Sequence, residues 1–254
     1  MSMKTESEWV QTQSTILYPD IVLEPKLRLT AKAIYMAILV RPNLSISELG
    51  ELLHAHRETV SIHVRALKDA GWVVYTEGRR LCPTEPPEVR KRKACWFKQV
   101  LPMKPFIGEF LSFSWLDELI PCLDYVDHAR PSLLTNPVTG QPMEYDRFYP
   151  RYRKAFENQG LQHFGPTYKY PDPKQAKEQR LRDWAKLGMS HWNDIELVTI
   201  TWRDLSLRGM SNKIPKDLPR RPINPKDPYI QCLEQESAKY RASMRLIEKS
   251  LPQQ

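Results

Sequence analysis

Residues 144–164, EYDRFYPRYRKAFENQGLQHF, restrict the possible folds of this 254-residue chain more than any other stretch. Asp146 stands in an apolar run between Tyr145 and Phe148, Pro150 breaks that run, and a second run, Ala155 and Phe156, ends in Glu157. An unpaired carboxylate is costly in apolar surroundings. Strand alternation sends residues two apart to one face, so two short strands joined by a turn bring Asp146 and Glu157 side by side, with Phe148 and Gln159 along the same edge. Oxygen ligands arranged in this way suit a hard cation, Mg²⁺ first and Mn²⁺ as a substitute. Such an ion activates water and offsets charge on a phosphate oxygen, the economical route to phosphodiester hydrolysis at neutral pH. Gly160 permits a sharp exit from the second strand, and Gln162 and His163 come next at the mouth, His163 as a proton carrier or phosphate contact. The plainer alternative is a solvated hairpin face that happens to carry two acids. The run of acid, acid, Gln, Gly, Gln and His in so short a stretch favours the site.

The chain before this stretch has a different rhythm. Residues 1–28 are polar and mixed and read as an N-terminal arm, with Ile16, Leu17, Ile21, Val22 and Leu23 able to pack on the adjoining helices. Thr30 is the expected N-cap of a first helix carrying Ile34, Tyr35, Ile38 and Leu39 on one face and stopped by Pro42. Ser45 and Glu48 have the spacing of a capping box and open a second helix with Leu49, Leu52 and Leu53 as its stripe. A third helix, residues 57–70, turns Val60, Val64 and Leu67 inward and ends at Gly71. Residues 72–81 then read as a two-stranded hairpin.

Three helices and a hairpin, with the string S-x-x-E-L-x-x-L…T-V-x-x-x-V-x-x-L-x-x-x-G-W, resemble the winged helix-turn-helix domains of bacterial regulators of the MarR and GntR type. For residues 29–82 the resemblance implies a third helix lying in the DNA major groove and presenting Arg57, Glu58, Thr59, Ser61, Ile62 and Arg65, with Lys68 available for phosphate. Arg79 and Arg80 at the wing tip would reach an adjacent backbone or minor groove. His54, His56 and His63 read as polar surface, since no Cys or carboxylate stands at ligand spacing from them.

Residues 83–98, PTEPPEVRKRKACWFK, are expected to be a Pro-rich linker in which the tetrad Arg90, Lys91, Arg92 and Lys93 is either a solvated charge run or a phosphate track. The chain carries 38 Lys and Arg against 30 Asp and Glu, a net charge of +8, which is compatible with a polyanionic partner. Cys82, Cys95, Cys122 and Cys232 lie far apart with no Cys-x-x-Cys pair, so neither a zinc site nor a disulfide framework is expected. No run approaches the roughly 18 apolar residues that a membrane helix needs, and the N-terminus lacks an apolar signal core, so a cytoplasmic location without a membrane partner is the expectation.

After the linker, Phe110, Phe113, Leu116 and Leu119 fall at helical spacing, residues 125–134 lead into a strand kept short or at an edge by Pro131, and residues 136–140 turn into the strand that holds Asp146. Residues 174–186 are helical and charged, with Arg182 and Lys186 aligned on one face and able to hold a scissile phosphate if that face borders the cleft. Residues 195–201 read as a buried strand. From Arg208 the chain is Pro-rich and then helical over 228–250, an element suited to a homodimer contact or a partner protein.

The string NPVTGQPMEYDRFYPRYRKAFENQGLQHF, with Arg182, Asp183 and Lys186 on the next helix and Asp204–Leu205 after the next strand, resembles restriction-endonuclease-like domains of the PD-(D/E)XK superfamily, in particular those related to very-short-patch-repair endonucleases. The resemblance covers residues 104–207. It implies a mixed α+β or α/β chain with an αβββαβ core in residues 99–208, followed by a separate segment, residues 209–254. It further implies metal binding by Asp146 and Glu157, and an acid on the preceding helix, Glu109 first and Glu118 second. The family's usual Lys two positions after the second acid is Gln159 here, a residue that carries neither a proton nor a charge. The cationic role then migrates to Lys186 or Lys154, or is lost. The expectation is a Mg²⁺-dependent endonuclease acting on double-stranded DNA, and the alternative is a DNA-binding protein whose nuclease-like domain does not cut.

Overall fold

In a computed structural model, residues 20–160 and 173–250 are described, and His163 and Gln162 lie outside them. The chain is a mixture of helix and sheet that divides into two compact units, one formed by residues 17–124 with 205–241 and the other centred on residues 125–204.

The first unit begins with α1 (Leu29–Val40), α2 (Ile46–Leu52), α3 (Arg57–Asp69) and an antiparallel pair, β1 (Val73–Thr76) and β2 (Arg80–Pro83). Its core gathers Ile34, Tyr35, Ile38, Leu49, Val60, Val64, Leu67, Trp72 and Leu81, together with Ile21 and Leu27 from the segment expected to be an arm. Thr30 is not the cap of α1: the helix starts one residue earlier, at Leu29, and Arg28 in the cap position makes no side-chain cap bond. The capping box of α2 is complete, the Ser45 Oγ accepting from the Glu48 amide at 3.2 Å and the Glu48 carboxylate accepting from the Ser45 amide at 2.7 Å. Gly71, at φ +79°, ends α3 in a Schellman turn, with the Trp72 amide bonded to the Leu67 carbonyl and the Gly71 amide to that of Lys68.

Residues 83–98 are not an irregular linker. Pro86 and Pro87 stand at the N-cap and first position of α4 (Pro87–Val100), where a missing N–H costs the helix nothing and the fixed φ suits its first turn. α4 leads to α5 (Ile107–Leu119), and later in the sequence α7 (Leu207–Lys213) and the first half of α8 (Pro228–Ser250) return to this unit. A buried ion cluster ties these parts together. Glu118, fully buried, accepts from Arg90 at 2.6 Å, Lys93 at 2.7 Å and Arg221 at 3.3 Å. Arg90 also grips Asp227 through two bonds of 2.9 and 2.8 Å and meets Glu85 at 2.9 Å. Asp227 in turn caps α8 by accepting from the amides of Tyr229 and Ile230. Three acids face three bases, the condition under which buried charges are tolerated.

The second unit holds β3 (Val126–Ala129), β4 (Tyr145–Tyr149), β5 (Lys154–Gln159), α6 (Pro173–Trp192) and β6 (Glu196–Thr201). The sheet order is β3-β4-β5-β6, antiparallel except for the last pair, which is parallel and joined through the α6 crossover. As Pro131 led one to expect, β3 is short and at an edge. β6 lies at the other edge and is half-exposed apart from Ile200, so it is not the buried strand the apolar run 195–201 suggested. Phe148 opposes Ala155 on the face that Ala185 and Met189 of α6 cover. Arg147 opposes Phe156 on the other face, where its guanidinium holds Asp127 at 2.6 and 3.0 Å and stacks on Tyr125 at 3.9 Å.

Candidate active site

β4 turns back into β5 through a short 3-10 turn at residues 150–152, with Arg153 in the left-handed region at φ +53°. The pairing Arg147 with Phe156 and Phe148 with Ala155 carries forward to set Asp146 beside Glu157. The Glu157 Oε1 accepts from the Asp146 amide at 3.3 Å, and the Asp146 Oδ2 accepts from the Asn158 amide at 2.6 Å and its side-chain amide at 3.3 Å. Lys186, reaching from α6, places its Nζ 2.8 Å from the Glu157 Oε2. The hairpin pairing expected from sequence is therefore present, and a cation meets it from the crossover helix.

The electrostatics follow from depth. Glu157 is 9% exposed, and burial, reinforced by the charge of Asp146, pushes its carboxyl up to about 8, with Lys186 pulling the other way. Burial raises Asp146 as well, against the pull of the Asn158 amide and Lys186. Two buried acids, one of which makes the other harder to ionise, are oxygen donors of the kind whose charge a divalent cation would offset. Asn158 Oδ1 is buried without a hydrogen-bond partner, a hard carbonyl oxygen next to the pair. All are oxygen donors of the class that a magnesium-type ion takes. Among the described residues, however, no group of three or more His, Cys, Asp or Glu could hold a metal.

The other expected site residues fall in several places. Gln159 lies two residues beyond Glu157 on the same face, opposite Thr201 of the parallel strand, as Glu157 is opposite Thr199. Arg182 is exposed one turn before Lys186. Lys154, the other candidate for the displaced cation, is spent on Glu196 at 2.8 Å. Glu109 sits on α5 and therefore in the other unit from Asp146 and Glu157. Glu118, the second choice for a third acid, is a correction: Lys93, Arg221 and Arg90 outweigh the upward push of burial and hold its carboxyl well below the usual range, which leaves no charge to offer a metal.

On the side expected to meet nucleic acid, α3 exposes Arg57, Thr59, Arg65 and Lys68, leaves Ser61 half-buried and carries an exposed Ile62. Arg79 is exposed next to Gly78 in the turn between β1 and β2. Arg80 is not a free wing-tip cation, because it pairs with Glu48 of the α2 capping box and that pairing, with the Ser45 bonds, lowers the Glu48 carboxyl to about 2. The basic tetrad divides by helix face: Lys91 and Arg92 point outward, while Arg90 and Lys93 belong to the ion cluster and cannot track phosphates. Asn158 was not anticipated as part of the site. Its signal was its place after the second acid, but which of its atoms would be left unpaired depends on the strand register.

Comparison with known proteins adds little to this geometry. The chain is similar to "Uncharacterized protein 033L" of Invertebrate iridescent virus 3, 33% identical over 75 residues, which is 29% of this chain and 39% of the viral protein. The match thus spans well under half of that relative's length. No family model matches the chain, and no solved structure does. Among the described residues no helix is long and apolar enough to cross a membrane.

Proposed function

We propose that this protein is a metal-dependent DNA endonuclease, addressed to double-stranded DNA by a winged helix and cutting with the Asp146–Glu157 pair of a restriction-endonuclease-like unit. The observation that carries the reading is the convergence of Asp146, Glu157 and the Lys186 ammonium on the two central strands of a mixed sheet. The order of β3, β4, β5, α6 and β6, with an antiparallel meander and a parallel last strand, supports the βββαβ part of that arrangement, while α5, the helix expected to open it, belongs to the other unit. The order of α1, α2, α3 and the β1–β2 hairpin, with cations along the open side of α3, supports the winged helix.

In this reading Asp146 and Glu157 would hold Mg²⁺ or Mn²⁺, and the unpaired Asn158 carbonyl oxygen is a further donor of the same class. A bound ion of this kind would supply an activated water and offset charge on the phosphate. Glu157 must give up its proton before it can act as a ligand. Lys186 takes the cationic role that Gln159 cannot fill, holding the phosphate or the attacking water in place. Arg182, one turn away, supplies a further phosphate contact. The test is nicking of supercoiled plasmid: cleavage dependent on Mg²⁺ or Mn²⁺ and abolished by Asp146→Ala is expected, and a lack of metal-dependent nicking defeats the enzyme reading.

A second reading has its own observation. Glu118 is spent on three bases, and among the described residues no group of three or more His, Cys, Asp or Glu could hold a metal. This favours a DNA-binding protein whose nuclease-like unit does not cut, for which salt-sensitive DNA affinity without nicking is the expected result.

A further inference from the structure

α6 is amphipathic in an unusual sense. Its inward side carries Ala185, Lys186, Met189 and Ser190, yet its outward side is also apolar. Leu181, Trp184, Leu187 and Trp192 are 59%, 77%, 56% and 84% exposed. At 100° per residue these four, with Gly188 and His191, form one continuous stripe that contains no Lys, Arg, Asp or Glu over residues 181–192, with Arg180 and Lys177 following on the same line of the helix one turn earlier. A monomer rarely leaves such a patch to water.

Gly188 lies within this stripe. Glycine in a helix interior weakens the helix, and among the described residues a Cβ added here would meet nothing within 4 Å, so no described neighbour requires its absence. A helix that packs against Gly188 from outside would require it. The stripe is also symmetric about this position, with Trp184 four residues before and Trp192 four residues after. Two copies of α6 crossing antiparallel at Gly188 would set each Trp184 against the partner's Trp192. Such self-complementarity is what a two-fold interface demands.

We propose that the outward face of α6 is a homodimer interface, with two copies of this chain meeting antiparallel across Gly188. The four side chains expose on the order of 500–600 Å², since a tryptophan alone contributes about 150–250 Å². That is most of the roughly 800 Å² that one partner buries in a standard stable interface. A chain with net charge +8 repels its own copies, so an uncharged face is where two of them can meet. The same helix turns Lys186 inward to Glu157, so the dimer carries two such clusters in one particle. The proposal does not rest on their catalysing anything.

Sedimentation velocity on the full chain tests it. The wild type is expected to run as a dimer in the micromolar range, and Trp184→Glu and Trp192→Glu to weaken association at least about tenfold with unchanged circular dichroism. In a Cys95→Ser background, the three other cysteines being buried, Gly188→Cys is expected to give a disulfide-linked dimer on mild oxidation, because a residue on the two-fold axis meets its own copy. A wild type that is monomeric throughout overturns the proposal. So does a dimer that tolerates both substitutions and forms no cross-link through position 188. Loss of affinity for a single-stranded oligonucleotide in Trp184→Glu, with the wild type monomeric, would assign the stripe to base stacking instead.

Discussion

Glu157 and Glu118 are both buried glutamates, and their surroundings give them opposite charge behaviour. Glu157 has one lysine and a neighbouring acid, so its carboxyl rises from 4.5 to about 8. Its favourable contribution to stability is present below pH 4.5 and lost as pH rises towards 8, because the folded state keeps a proton that the unfolded chain gives up. In EDTA, wild-type stability should therefore fall relative to Glu157→Gln across that window, by on the order of a few kcal/mol, and urea denaturation at several pH values measures it. Glu118 faces Arg90, Lys93 and Arg221, which hold its carboxyl well below the usual range despite burial. Its contribution is present above the unfolded value and lost only in acid. Glu118→Ala strands three bases and should cost about 3–5 kcal/mol, read from the shift in urea midpoint at constant slope. Arg90 shows the same point from the other side: in the sequence it reads as one of four linker cations, and in the fold it is bonded to three acids.

At the scale of elements, the displaced cation can be traced to a helix. Lys186 and Lys154 were both open candidates, and α6 aims the first at Glu157 while the parallel register spends the second on Glu196. If the site cuts DNA, Lys186→Ala should lower nicking by about 10²-fold or more, with Lys154→Ala close to wild type in the same assay. In the N-terminal unit, Arg57→Ala and Arg65→Ala should each weaken DNA binding and reduce the slope of log affinity against log salt by about one if the residue meets phosphate. Arg80→Ala should leave that slope unchanged, since its guanidinium is held by Glu48. Filter binding or fluorescence anisotropy at several salt concentrations separates the two kinds of arginine. In α4 the position of the prolines decides their effect: two prolines side by side signal a break inside a helix, but at its first turn they favour its start.

At the scale of the molecule, the N-terminal unit is assembled from two distant stretches of chain. Residues 205–241 bring Arg221 and Asp227 to the ion cluster, and the Trp115 indole donates to Ser237 of α8 at 3.0 Å. A chain truncated after residue 204 should therefore lose the fold of residues 84–124 as well, because Arg90 is left without its bidentate partner and Trp115 without its acceptor. Limited proteolysis is the measurement: rapid cutting within 84–124 is expected in the truncated chain, and protection there in the intact protein. Nothing in the Pro-rich stretch after Arg208 announces this role, since the charged partners of Arg221 and Asp227 lie more than 100 residues away.

By itself the sequence determined the features that short-range periodicity and local hydrogen bonding control. The helical stripes of α1 to α3, the Ser45–Glu48 box, the Gly71 stop and the adjacency of Asp146 and Glu157 all come from spacings within about a dozen residues, where pattern and backbone geometry leave few alternatives. Only the tertiary structure decided which charges are spent. It locks Arg90, Lys93 and Glu118 together, ties Arg80 to Glu48, selects Lys186 over Lys154 and places Glu109 in a different unit from the carboxylate pair. The reason is physical: a charge in a sequence has no depth and no partner, and its role is fixed by burial and by contacts that only the folded chain makes.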